Sequence, residues 1–159
     1  MPPIGPAELM DDISFLLARA NALSVAAGNA ALSEHGLRVR SYSVLALAAG
    51  SARTSQRELA ELLRLDPSQV VALVDELQAR GLVVREPDPA DRRANVVVAT
   101  ERGRTVHAQA AGAARAAEAA LHDDLSEADR RRLTELLKRM AFPSPGRAKG
   151  AAVGDPFGS

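Results

Sequence analysis

The sequence predicts a mainly α-helical fold of six helices, interrupted once by a short β-hairpin after the fourth helix. Three observations predict it. Apolar residues recur at three- and four-residue steps through most of the chain. Ser55, Asp66 and Ser126 each begin a helix-capping pattern. Residues 82–99 switch to β-branched runs on either side of a Pro/Asp/Arg turn.

The 159 residues fit one domain with an appendage, and a hydrophobic share of 47% is ample for a packed core. Aromatics make up only 3%, which argues against a cofactor site lined with rings. Cysteine is absent, so disulfides, thiolate metal sites, cysteine nucleophiles and thiol switches are excluded. The start Met1-Pro2-Pro3-Ile4-Gly5-Pro6 lacks the basic and apolar regions of a signal peptide. No uninterrupted apolar run reaches membrane-spanning length. A cytoplasmic chain with no membrane partner is expected.

Each element has its own signal. Residues 7–32 read as one long amphipathic helix through Leu9, Ile13, Leu16, Leu17, Ala20, Leu23, Ala27 and Ala31, with Gly36 ending the segment. Ser41 is expected to cap a second helix that turns Val44, Leu45, Leu47 and Ala48 inward and stops at Gly50. Ser55 and Glu58 form a capping box for a short third helix, roughly 55–63. Asp66-Pro67 is a strong helix start for the fourth, which buries Val70, Leu73, Val74 and Leu77 and closes at Gly81. Leu82–Glu86 and Asn95–Ala99 are the hairpin strands. Thr100 caps an alanine-rich fifth helix to about Leu121, and Ser126 with Asp129 begins the sixth. Residues 143–159, rich in Pro, Gly, Ala and Ser, read as a disordered tail.

The function class turns on two features. The helix pair 55–63 and 67–80 is a helix-turn-helix candidate whose second helix presents Ser68, Gln69, Ala72 and Asp75 opposite its buried face. Ser and Gln at a helix N-terminus are placed to meet base edges, and a Gln amide pairs bidentately with adenine. The plain alternative is a helical hairpin with a solvated polar face. The loop Asp88-Pro89-Ala90-Asp91-Arg92-Arg93 then puts two arginines at a hairpin tip, where one suits a narrow minor groove and Asp91 is expected to hold a guanidinium in place. The alternative there is a solvated turn with weak ion pairs. A formal net charge of zero counts against nucleic acid, but eighteen of the twenty basic residues are arginine, the better fork for phosphate and guanine.

The stretch LAELLRLDPSQVVALVDELQARGLVVREPDPADRRANVVVATERG, residues 59–103, resembles the MarR family of bacterial regulators. The likeness is carried by Leu63-x-Leu65-Asp66, by Leu77 with Arg80-Gly81-Leu82-Val83, by Asp91-Arg92-Arg93 and by Thr100-x-x-Gly103. The helix order extends it to about residues 7–141. It implies a winged helix-turn-helix repressor that binds a pseudo-palindromic operator in double-stranded DNA as an interlocked homodimer. The MarR-type domain would span 1–142, with the winged part at about 41–104 and dimerisation helices at 4–33 and 105–142. Ile4, Leu9, Ile13, Leu121, Leu125, Leu133, Leu136, Leu137, Met140 and Phe142 would be mostly interface. The DNA-binding residues implied are Ser55, Gln56, Pro67, Ser68, Gln69, Ala72, Asp91, Arg92 and Arg93.

Some members carry an arginine where this chain has Ala72, so base readout must lean on Ser68, Gln69 and the wing. The cysteine of thiol-sensing members and the tryptophan of urate-responsive ones are missing, and His35, His107 and His122 are too scattered for a zinc cluster. The resemblance places an effector crevice between the dimerisation helices and the winged domain, lined by the first, second and fifth helices, where Phe15, Arg19, His35, Arg38, Arg40 and Tyr42 fall. An arginine beside an aromatic ring suits a small aromatic anion; the same arginines equally suit phosphates or solvent, and Tyr42 the core. No catalytic constellation, metal site or cofactor is expected. An architectural DNA binder without effector control and a protein-binding helical module stay open beside the regulator.

Overall fold

The protein is described here from a computed structural model covering residues 5–144. These residues fall into two compact units, one ending at Leu121 and one beginning at His122. The first unit starts with a single helical turn, Pro6–Leu9, followed by α1 (Ile13–Leu32) and α2 (Val39–Ala49). Then come β1 (Thr54–Ser55), α3 (Gln56–Leu63), α4 (Pro67–Ala79), β2 (Val83–Pro87), β3 (Asn95–Ala99) and α5 (Glu101–Leu121). The second unit holds α6 (Glu127–Ala141).

The long first helix of the sequence reading is broken. Asp12 caps α1, its carboxylate accepting the Phe15 N–H at 2.7 Å, so the helix restarts after Met10-Asp11. The four-residue step from Leu9 to Ile13 kept the helical period running through the break. Ser41 is not the cap of α2 either. Arg38 is the N-cap residue, and Ser41 sits in the first turn with its hydroxyl accepting the Arg38 N–H at 2.9 Å. The cap that Arg38 cannot supply comes from α1: Asn29 Oδ1 accepts the Val39 N–H at 2.8 Å. Gly28 lets the two segments approach, since a Cβ there would lie 2.7 Å from a Val39 methyl.

The core gathers Leu32, Leu37, Val44, Leu45, Leu59, Val70, Val74, Leu77, Leu82 and Val83, all nearly inaccessible to water. Each contributes about 1.5–3 kcal/mol by burial. Leu73, expected inside, is only half-buried. α1 packs on α5, and α2 packs on α4, α5 and β3. The sheet has three strands, not two, in the order β1-β3-β2. β2 and β3 are antiparallel with Val83 opposite Ala99 and Arg85 opposite Val97. β1 covers the other edge of β3, Thr54 opposite Val97. Thr100 fastens α5 to this sheet: its hydroxyl donates to the Gly81 carbonyl at 2.7 Å and accepts the Gly103 N–H at 3.0 Å. Gly103 is required there, because a Cβ would fall 1.9 Å from the Leu82 carbonyl oxygen.

Most of the exposed large apolar residues lie on or beside two helices. α1 exposes Ile13, Leu16 and Leu23, beside Leu9 and Met10 in the preceding turn. α6 buries nothing and exposes Leu133, Leu136, Leu137 and Met140, with Phe142 just beyond. Leu121 and Leu125 are half-buried. The segment Ile13–His35 has a mean hydropathy of 1.2 over its most apolar window, so by length and composition alone it is long enough to cross a membrane. The sequence reading had found no such run, because Arg19, Asn21 and Asn29 interrupt it. Ile4 and the tail beyond Ser144 lie outside the described residues.

Candidate nucleic-acid interface

The helix-turn-helix is α3, the turn Arg64-Leu65-Asp66, and α4. Ser55 and Glu58 close α3 reciprocally. Ser55 Oγ accepts the Glu58 N–H at 3.2 Å, and Glu58 Oε2 accepts the Ser55 N–H at 2.7 Å. The Ser55 N–H and, after it, the Ser55 hydroxyl, which donates to Glu58 Oε2 at 2.9 Å, hold the exposed Glu58 carboxyl below the usual carboxylate range. Arg64 ends the helix with φ of 53°, the only non-glycine residue with positive φ among those described. That conformation costs about 1–2 kcal/mol, and in return one helix ends and the next begins within three residues.

α4 starts at Pro67 behind Asp66 and turns Val70, Val74 and Leu77 into the core. Ser68, Gln69, Val71 and Ala72 stay exposed on its other side. Gln69 Oε1 accepts the Asp66 N–H at 3.2 Å, and the Ser68 hydroxyl donates to Asp66 Oδ2 at 3.0 Å. The amide oxygen of Gln69 is thus engaged in the cap. Only the NH₂ half of the expected bidentate pair with adenine is free.

The wing tip is shaped by its own backbone. The Asp88 N–H donates to the Ala94 carbonyl, and the Ala94 N–H to the Asp91 carbonyl, both at 2.9 Å. Asp88 Oδ1 accepts the Ala90 N–H at 2.9 Å, and Asp91 Oδ1 accepts the Arg93 N–H at 3.0 Å. Asp91 therefore holds the main chain of Arg93, not the guanidinium that the sequence reading assigned to it. Arg92 and Arg93 are exposed, with no ion-pair partner among the described residues.

One residue that the sequence reading passed over organises this face. Arg85 on β2 donates from Nε to Gln56 Oε1 at 2.6 Å, from Nη1 to Gln78 Oε1 at 3.0 Å and from Nη2 to Asp75 Oδ1 at 2.6 Å. It joins the wing to the start of α3 and to two turns of α4. Gln56 and Asp75, expected to face outward freely, are tied down by it. A signal was present: Arg85 stands two residues from buried Val83 on the same strand face, and an arginine drawn inward needs partners. Arg53, just before β1, pairs in the same way with Glu86.

The expected effector residues are not joined into one pocket. Tyr42 is half-buried and stacks on His107 of α5, ring centres 5.5 Å apart. Phe15 is half-buried on α1, and Arg19, Arg38 and Arg40 are exposed. Among the described residues, no hydrogen bond or ion pair links these side chains to one another. An open groove of about 740 Å³ lies instead between α3 and α4, lined by Gln56, Arg57, Arg64, Pro67 and Val71 among others.

Known proteins share this architecture. The sequence model of the MarR family matches residues 35–94. A MarR-family transcriptional regulator from Rhodococcus sp. RHA1 is 44% identical, with a TM-score of 0.81 over 86% of this chain and 96% of its own. CouR from Rhodococcus jostii RHA1, solved with p-coumaroyl-CoA, is 42% identical, with a TM-score of 0.78 and the same coverage, 86% and 96%. A transcriptional repressor CouR solved on a 23-mer DNA duplex is 28% identical, with a TM-score of 0.78 over 88% of this chain and 99% of its own. A transcriptional regulatory protein for the hcr operon of Thauera aromatica is 33% identical over 99 residues, 62% of this chain and 60% of that relative's length. With its helix-turn-helix, its wing and a 44% identical relative matched over nearly its whole length, this chain belongs to the MarR family of transcriptional regulators.

Proposed function

We propose that the chain is a cytoplasmic, non-enzymatic repressor that binds a pseudo-palindromic operator as a homodimer and is released by an aromatic anionic effector. The observation that carries the reading is the wing tip, where two arginines without ionic partners among the described residues stand on a loop fixed by two backbone bonds and two bonds from backbone N–H groups to the Asp88 and Asp91 carboxylates. A loop fixed in that way leaves only the two side chains, and not the backbone that carries them, to be ordered on binding. In this reading Arg92 and Arg93 enter a minor groove. Ser55, Gln56, Pro67, Ser68, Gln69 and Ala72 line the major-groove face, and Asp91 shapes the wing.

The apolar residues exposed on α1 and α6 support the homodimer, since a second copy is the economical cover for both. The same cover accounts for the apolar stretch at Ile13–His35 without a bilayer. A 42% identical relative bound to an aromatic acyl-CoA supports the effector class. Phe15, Arg19, Arg38, Arg40 and Tyr42 are the residues we assign to it, and His107 joins them through its stack on Tyr42.

The test is a mobility shift on duplexes from the gene's own upstream region, with sedimentation of the free protein. The expected result is a dimer and a footprint with half-sites about 10 base pairs apart. Affinity should fall steeply with salt, as for on the order of 6–10 phosphate contacts. Millimolar aromatic acids or their thioesters should release the complex, and Arg38→Ala and Tyr42→Ala should blunt that release. By linkage, operator must weaken effector binding by the same factor. A monomer, or a footprint without dyad symmetry, overturns the dimeric reading.

A further inference from the structure

Arg80 follows the last residue of α4, and its guanidinium turns back into the protein. Nη1 donates to the Gly36 carbonyl at 2.6 Å and Nη2 to the His35 carbonyl at 3.1 Å. About a third of the side chain remains exposed, at 33%, and Glu76 one turn back lies 3.9 Å away. The two carbonyls belong to the short 3₁₀ turn, Ser33–His35 with Gly36, that closes α1. Carbonyls at a helix end lack partners within the helix and carry the negative end of its dipole. A planar two-pronged donor fits two successive oxygens better than an ammonium does.

The receiving backbone is shaped for this. Gly36 has a φ of +64°, and a Cβ there would lie 2.8 Å from Arg80 Nη2. The Leu37 N–H bonds to the Leu32 carbonyl at 3.2 Å across the turn, and both leucines are buried. The anchor is therefore a fixed piece of the core.

We propose that Arg80 is a positioning residue that fixes the recognition helix relative to the dimerisation helix, and so sets the operator's half-site spacing. The proposal rests on the dimeric DNA-binding reading above. In a dimer, α1 would be held at the two-fold interface while α4 reads a half-site. The distance between the two readers is then set by whatever links α4 to α1. α4 packs chiefly on α2, α3 and β2, and the Arg80 fork is a direct tie from its end to the end of α1.

The probe is a dyad-symmetric duplex recovered by selection with the wild-type chain, together with two versions that gain or lose one base pair at the dyad. Wild type should bind the altered spacings at least about tenfold more weakly. Arg80→Ala should narrow that penalty to about threefold or less while the protein remains a dimer by sedimentation. Arg80→Lys, which keeps the charge but not the fork, should fall between. Gly36→Ala attacks the same tie from the other side and should narrow the penalty too. A purely structural role would lower the melting temperature or the affinity for all three duplexes alike, leaving the spacing ratio at its wild-type value. That outcome in the folded, dimeric variants overturns the proposal while DNA binding stands. A wild-type chain that selects no dyad duplex overturns the DNA-binding reading, and this proposal with it.

Discussion

The Arg85 guanidinium lies 2.6 Å from the Asp75 carboxylate, so a strand of the wing grips the helix expected to read bases. With Gln56 and Gln78 also on Arg85, three polar side chains of this face are held in one arrangement. Arg85→Ala would free all three. Charge-assisted hydrogen bonds are worth about 1.5–3 kcal/mol when buried. Asp75 is 61% exposed, and screening reduces its share. We expect a stability loss of about 1 kcal/mol and a broadened base preference in a selection experiment. Asp75→Asn, which keeps an acceptor, should do less of both. An Arg85→Ala protein with the wild-type preference profile would show that the tie has no part in readout.

Asp91 and Arg93 make different demands on the wing. Arg93→Ala removes a side chain without ionic partners among the described residues, so the melting temperature should hold while DNA affinity falls by about tenfold or more. The fall should be similar for operators differing only in major-groove bases. Asp91→Asn keeps an oxygen for the Arg93 N–H and should bind nearly as wild type, whereas Asp91→Ala should not. Equal losses for Asp91→Asn and Asp91→Ala would mean that the charge matters and the loop bond does not.

Gln69→Glu should separate folding from binding. A carboxylate at this position accepts the Asp66 N–H better than an amide does and sits well at a helix N-terminus. Thermal stability should rise by about 0.5 kcal/mol. DNA affinity should fall, because the free NH₂ donor is replaced by an anion. Gln69→Ala should relax the preference at one base pair per half-site, by about 1–3 kcal/mol. A Gln69→Glu protein that gains both stability and affinity would remove Gln69 from the interface.

Glu58 gives the helix-turn-helix an acid limit. Its carboxyl is held low by the Ser55 bonds, so its contribution to stability is complete above the unfolded value, about 4.3. It is lost as pH falls through the lower folded value. Glu58→Gln should be less stable than wild type at neutral pH, and the gap should close on acidification below about pH 4. Melting temperatures between pH 3 and pH 7 measure it. A gap independent of pH would leave the capping box without its ionic part.

The parts of this fold that could be read from sequence are those fixed by neighbours along the chain. Ser55 with Glu58, Asp66 with Pro67, and Thr100 with Gly103 are short-range patterns, and each capped the helix expected of it. β1 escaped because two residues have no period. Asp12 escaped because the apolar step from Leu9 to Ile13 runs straight through the break. Arg80 and Arg85 reach partners 7 to 45 residues away, and no local pattern carries such a pairing. The wing arginines were legible as a motif, but what Asp91 does for them was not. Local spacing offers a carboxylate the guanidinium and the backbone N–H alike, and only the folded loop selects the N–H.

The oxygen that Asn29 lends to Val39 also orders events in time. Eleven residues make a helix too short to persist alone in water, so α2 completes its first turn only when α1 is already beside it. The partner is ten positions upstream, and a loop of that size closes within about 10–100 ns. The α1–α2 hairpin is thus an early, inexpensive step in chain entropy. The pairing of Thr54 with Val97 spans a far longer loop and must come later. A nascent chain would acquire its helical hairpin before its wing, and the exposed apolar face of α1 would be in place before the three-stranded sheet is complete.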